Sequence, residues 1–143
     1  MITLVDFEQV LENQNITKEF FGKTGGINNL LLLLRDMEPK DRVIAGERIN
    51  AIKEDYEGLS RMVECLASCP KALRGTLDIW NTFDQDLQEH YCDELLWMID
   101  YVVDHKDVIA KDQNLLSLVN QARVDFIPLL DDIYKIMGIH VKF

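Results

Sequence analysis

The chain has 143 residues, 48% of them apolar, with three prolines and seven glycines; this is the size of one domain, able to bury about two-thirds of the surface its unfolded form exposes, and it excludes a disordered polymer. It carries 25 acids against 15 bases, a formal charge of -10. That excess argues against direct binding to nucleic acid, whose phosphates are met by clustered Lys and Arg.

Met1-Ile2-Thr3-Leu4-Val5-Asp6 has no basic region followed by an apolar stretch, so no secretory signal is expected. The longest apolar run, Leu30 to Leu34, falls far short of the roughly 20 residues a membrane span needs. The expected location is cytoplasmic, and the odd cysteine count (Cys65, Cys69 and Cys92) fits reduced thiols. Helical punctuation runs through almost the whole chain and nothing alternates with period two. The expected fold is all-α: a single-domain helical bundle over residues 1–143, of about five to six helices, containing an antiparallel helical hairpin.

Leu4 to Leu11 reads as a first helix with Thr3 as cap, and a short second one begins after Asn15 and ends at Gly22. The loop "GKTGG" precedes "INNLLLLLRDM". Pro39 then opens a long helix running to Ala67, with Pro70 closing it, so that the hairpin covers 20–67. Within that helix Ala45, Ile49, Ile52, Tyr56, Leu59, Val63 and Leu66 follow at alternating spacings of four and three. Such a seam lays one stripe against a partner helix, either a core-facing neighbour in the bundle or a second copy in a coiled coil, so monomer and homodimer both stay open. Gly46 sits inside this helix at a cost of about 1 kcal/mol against Ala, for which close approach of another backbone is the expected reason.

Residues 20–53, "FFGKTGGINNLLLLLRDMEPKDRVIAGERINAIK", resemble the N-terminal helical hairpin of the phenylalanyl-tRNA synthetase alpha subunit. Gly22, Lys23, Gly25, Leu30, Leu34, Pro39, Arg42, Ala45, Gly46, Ile49, Asn50 and Lys53 fall on that pattern without a gap. Thr24 and Glu38 depart from it, standing where a second basic residue and a first proline are usual. The resemblance implies that the leucine run packs antiparallel against the seam helix and that the hairpin reaches out to tRNA. The class II catalytic motifs have no counterpart in these residues, so aminoacylation is not expected.

"KALRGTLDIWN" reads as a further short helix, and Thr82 with Gln85 forms a capping-box signature for an acidic helix over 82–107. Residues 84–107 hold eight acids and one base, whereas 1–83 hold 13 and 10, and 108–143 hold four of each. On a helical wheel with Leu87 at zero, Asp86, Glu89, Asp93, Asp100, Asp104 and Asp107 fall between about 200° and 260°, and Trp97 borders them at about 280°. A ridge of like charges beside a tryptophan has the makeup of a docking face for a basic partner. The plainer reading is a solvated face of an acidic protein, with Trp97 tucked against a neighbouring helix. The last helix is expected over 112–138, kinked at Pro128 and stopped by Gly138.

No catalytic signature emerges. His90, His105 and His140 lack metal-ligand spacing; His90 with Glu94, and Cys65 with Cys69, each make half a zinc site at most. "GKTGG" lacks the upstream glycine and strand of a phosphate-binding loop. The chain is therefore expected to be a non-enzymatic binding protein with no cofactor and no metal. Its leading function is an immunity- or antitoxin-type inhibitor whose ridge covers the basic cleft of a nuclease or another nucleic-acid-acting protein, a basic protein partner being implied and direct nucleic acid contact not. The alternative is a translation accessory whose hairpin contacts tRNA or a tRNA synthetase, with Lys23 and Arg42 as its test positions.

Overall fold

The computed structural model describes residues 1–143 and is all-α. Seven helices follow in order: α1 (Leu4–Glu12), α2 (Ile27–Leu34), α3 (Pro39–Asp78), α4 (Gln85–Asp104), α5 (Lys106–Ile109), α6 (Gln113–Phe126) and α7 (Leu130–Asp132). Short 3-10 turns stand at 19–21, 80–82 and 127–129, and a π-helical turn at 133–137 follows α7. The chain divides into two compact units, Met1–Gly58 and Leu59–Phe143.

The first unit is built around Phe7 and Leu11 of α1, Phe20, Leu30 of α2, Met37, and Ala45 and Ile49 of α3. Thr3 starts α1 with a full capping box, its hydroxyl accepting from the Asp6 amide while the Asp6 carboxylate accepts from the Thr3 amide at 2.9 Å. Of the leucine run, Leu30 is fully buried while Leu31 and Leu32 face solvent, as expected when an eight-residue helix offers a core only one narrow stripe. The second short helix expected before Gly22 is reduced to the single turn Glu19–Phe21.

Helix α3 has 40 residues, about 60 Å at 1.5 Å per residue, against eight in α2. The heptad seam is one stripe with two destinations. Ala45 and Ile49 are buried in the first unit's core, whereas Leu59, Val63 and Leu66 are buried in the second unit. Pro70 does not close the helix. It lies inside α3, buried, and "KALRGTLD" continues the same rod instead of starting another. A proline inside a helix forfeits one backbone hydrogen bond, about 3 kcal/mol, and burial of Pro70 with Leu66 and Leu73 on either side offsets it. The reason expected for Gly46 also fails: a Cβ there would meet nothing within 4 Å.

In the second unit, Trp80 is buried and packs edge-on against Phe83 (5.8 Å) and Tyr91 (5.7 Å). Helix α4 starts at Asp84, whose Oδ1 accepts from the Leu87 amide at 2.8 Å; the expected Thr82 cap is not formed, because the Thr82 hydroxyl donates to the Ile79 carbonyl at 2.6 Å. Leu95, Ile99 and Val102 bury the inner face of α4. Asp112 caps α6, its Oδ1 accepting from the amides of Asn114 (3.0 Å) and Leu115 (3.2 Å), which is how a carboxylate only 2% exposed is accommodated. After Phe126 the chain tightens through Pro128, and Gly138, at φ 74°, caps the last helical turn in the left-handed conformation.

Candidate functional site

The first candidate is the loop between the turn at 19–21 and α2. Phe20 points into the core while Phe21 packs edge-on against it at 4.8 Å and meets the Tyr56 ring of α3 at 5.4 Å. The aromatic pair thus anchors one side of the loop. On the other side Asn28 closes it, its Nδ2 donating to the carbonyls of Gly22 (3.2 Å), Lys23 (2.8 Å) and Gly25 (3.1 Å). Gly25 has no room for a side chain, since a Cβ would run into the carbonyl oxygens of Glu19 and Phe20. The outcome is a tightly held loop with Lys23 on its exposed side.

Arg42 is committed elsewhere. Its guanidinium donates to the carbonyls of Leu34 (2.8 Å), Met37 (3.2 Å) and Arg35 (3.5 Å), satisfying the carbonyls that α2 leaves open at its C-terminus and fixing the turn into α3. Arg48 pairs with Glu8 at 3.3 Å and Lys53 with Glu57 at 3.9 Å. Lys18, Lys23, Arg35 and Lys40 are exposed and stand outside these pairs. Sequence reasoning passed over Asn28, although an Asn two residues after a glycine pair is the kind of side chain that closes a tight turn.

The second candidate is the acidic face of α4. Asp86, Glu89, Asp93, Asp100 and Asp104 all lie on this one helix and are exposed, with none in an ion pair. Glu89 accepts a hydrogen bond from Gln85 at 3.1 Å. Asp107 does not continue the row as a wheel suggests, because α4 ends at Asp104 and Asp107 belongs to α5 beyond the break at His105. Trp97 is 55% exposed, so it is not tucked under a neighbour; its ring lies 5.8 Å from Tyr101, which stacks on His105 at 4.3 Å.

Beside Trp97, a cavity of about 310 Å³ is lined by Met62, Cys65, Cys69, Tyr91, Leu95 and Met98 among others. Burial pushes the Cys69 thiol up to about 11, with Cys65 adding to the shift, so Cys69 stays protonated at neutral pH. No cluster of three or more His, Cys, Asp or Glu side chains converges as a metal site would require.

Comparison with known proteins bears on the first candidate alone. The family described as the N-terminal domain of class II aminoacyl-tRNA synthetases matches residues 10–61. The phenylalanine–tRNA ligase alpha subunit of Nitrosomonas europaea is 40% identical over 50 residues, which is 35% of this chain and 14% of that protein. The match therefore spans about a seventh of the length of that relative. No solved structure matches the chain. The resemblance of residues 20–53 is thus confirmed and extended in both directions. These matches overturn the immunity or antitoxin inhibitor and its basic nuclease partner: the similarity is to a component of a tRNA-charging enzyme, and the ridge that suggested an inhibitor lies outside the matched residues. No helix is long and apolar enough to cross a membrane.

Proposed function

We propose that the chain is an accessory of translation whose segment 10–61 contacts tRNA. The observation that carries this reading is the coincidence of the synthetase-like segment with a tightly held loop: Gly25 and Asn28 fix the backbone, and Lys23 stands exposed upon it. Pre-organisation of that kind limits the entropy lost when a lysine is fixed against a phosphate. Lys18, Arg35 and Lys40 are further exposed cations in the same unit. The overall charge of -10 does not oppose such a contact uniformly, because residues 84–107 hold eight acids and one base while 1–83 hold 10 of the 15 bases.

The expected mode is a contact with few phosphates. Residues 1–58 hold 11 acids and seven bases, so binding is weak and sensitive to salt, log K falling against log salt by roughly 0.7 to 0.9 per phosphate neutralised. Fluorescence anisotropy of labelled tRNA, titrated with the protein between low and physiological salt, tests it. A shallow but finite salt slope and loss of binding in Lys23→Glu support the reading. Absence of tRNA binding at every salt, together with recovery of a tRNA synthetase from cells, would move the contact from the nucleic acid to the enzyme and overturn it.

A further inference from the structure

The cavity beside Trp97 collects sulfur. Of the chain's five methionines and three cysteines, two of each line it: Met62, Cys65 and Cys69 from α3, and Met98 from α4. The three on α3 follow at spacings of three and four, which sets them along one stripe of that helix. Tyr91, Leu95 and Met98 follow at four and three along α4 and supply the facing wall. Thr76, further along α3, is hydrogen-bonded to Tyr91 at the start of that wall, so the two helices run in opposite directions. Seven residues from this pair on each helix, Met98 comes level with Cys69. The Cys65 and Cys69 thiols stand one turn apart, close enough for Cys65 to add to the upward shift of Cys69. Cys65 is exposed and Cys69 half-buried, so the pair leads from solvent into the cavity, where Leu95 is buried.

We propose that Cys65, Cys69 and Met98 bind a single cuprous ion. Thiolate and thioether sulfur are the ligands that a soft monovalent ion selects. Zinc fits poorly, because it takes four ligands from Cys, His and carboxylates, and no third His, Cys, Asp or Glu joins the two thiols in a metal-holding group. Glu94, which also lines the cavity, is thereby excluded as that third ligand. Binding replaces the two thiol protons, which leave to solvent, and transfers no electron. Burial disfavours a bare thiolate at Cys69; the positive charge of the ion is what makes the deprotonated sulfur acceptable there. The apolar side chains of Leu95 and Met62 hold water away from the sulfurs, which favours the cuprous over the cupric ion.

Anaerobic titration of the reduced full chain with Cu(I), read by competition with the coloured cuprous chelator bathocuproine disulfonate, tests the site. Uptake of about one equivalent, not displaced by zinc, is the expected result. Cys65→Ser changes an exposed residue and Met98→Leu keeps side-chain volume; the first is expected to weaken Cu(I) by about a hundredfold or more and the second by about tenfold, with circular dichroism as in the native chain. Cys92 does not line the cavity, so Cys92→Ser is expected to bind as the native chain does. Native affinity in folded Cys65→Ser or Met98→Leu, an equal loss in Cys92→Ser, displacement by zinc, or no stoichiometric uptake would each overturn the proposal.

Discussion

In the loop from Gly22 to Gly26 the polar groups are largely used inside the molecule: three carbonyls are held by Asn28, and a little further on three more are held by Arg42. Along the outer face of α4, five carboxylates project with no ion pair and a single side-chain hydrogen bond among them. From sequence the second region looks the more purposeful, because charge is conspicuous in a string of letters. In space the first is the more constrained, and constraint is what a residue pattern shared with another protein reflects. A row of exposed acids needs little beyond water and a helix whose other face is buried.

That contrast can be broken in several places, beginning with the strongest constraint. Gly25→Ala puts a methyl against two carbonyl oxygens and is expected to cost about 3 kcal/mol, read as a lower urea midpoint, with the loop and its lysine displaced. An unchanged midpoint would mean that the loop yields and is not held as described. Asp112→Ala removes the buried double acceptor at the start of α6 and should cost about 2 kcal/mol, at the upper end for a helix cap; Asp112→Asn, which keeps an acceptor, should cost clearly less.

Gly46 sharpens the comparison from the other side. It falls on the same family-like pattern as Gly25, but a Cβ there has open space, so Gly46→Ala should stabilise by roughly 0.5 to 1 kcal/mol through helix propensity. Destabilisation would show that something approaches this position after all. The smallest effect belongs to the ridge. Asp104 sits in the last turn of α4, where no basic residue opposes it, four residues after Asp100. Asp104→Lys should therefore raise stability by about 0.5 kcal/mol at low salt and by less at high salt, by relieving the repulsion and suiting the helix dipole. A loss of stability would mean that the carboxylate has an attractive partner in the native state.

Much of the fold was legible because helices announce themselves by period and punctuation. Thr3, Pro39 and Gly138 each act where they are read: a cap, a first residue and a left-handed stop. Pro70 and Thr82 misled for the same reason, that local preference is a weak prior which burial or a better neighbour overrides. Pro70 is buried within an uninterrupted rod, and Asp84, two residues beyond Thr82, is the side chain that reaches the open amides. The seam on α3 was visible, but its division between two units was not, since heptad spacing specifies a stripe and not what covers it.

For the site, the pattern of residues 20–53 was readable and the roles within it were not. Arg42 looked available to a partner until its three carbonyl acceptors were seen, and Asn28 was marked only by its place just after a glycine pair. The acids from Asp86 to Asp104 share α4, but Asp107 lies on α5, beyond a break at His105 that a wheel has no means of registering.

The most direct measurement compares tRNA binding by three proteins at low salt: the native chain, Lys23→Glu, and the chain with Asp93, Asp100 and Asp104 all changed to Asn. The lysine reversal is expected to abolish binding, while the triple change leaves the salt slope in place and affinity equal or modestly higher. Binding unaffected by Lys23→Glu would contradict this expectation, and so would a native chain that binds no tRNA at all.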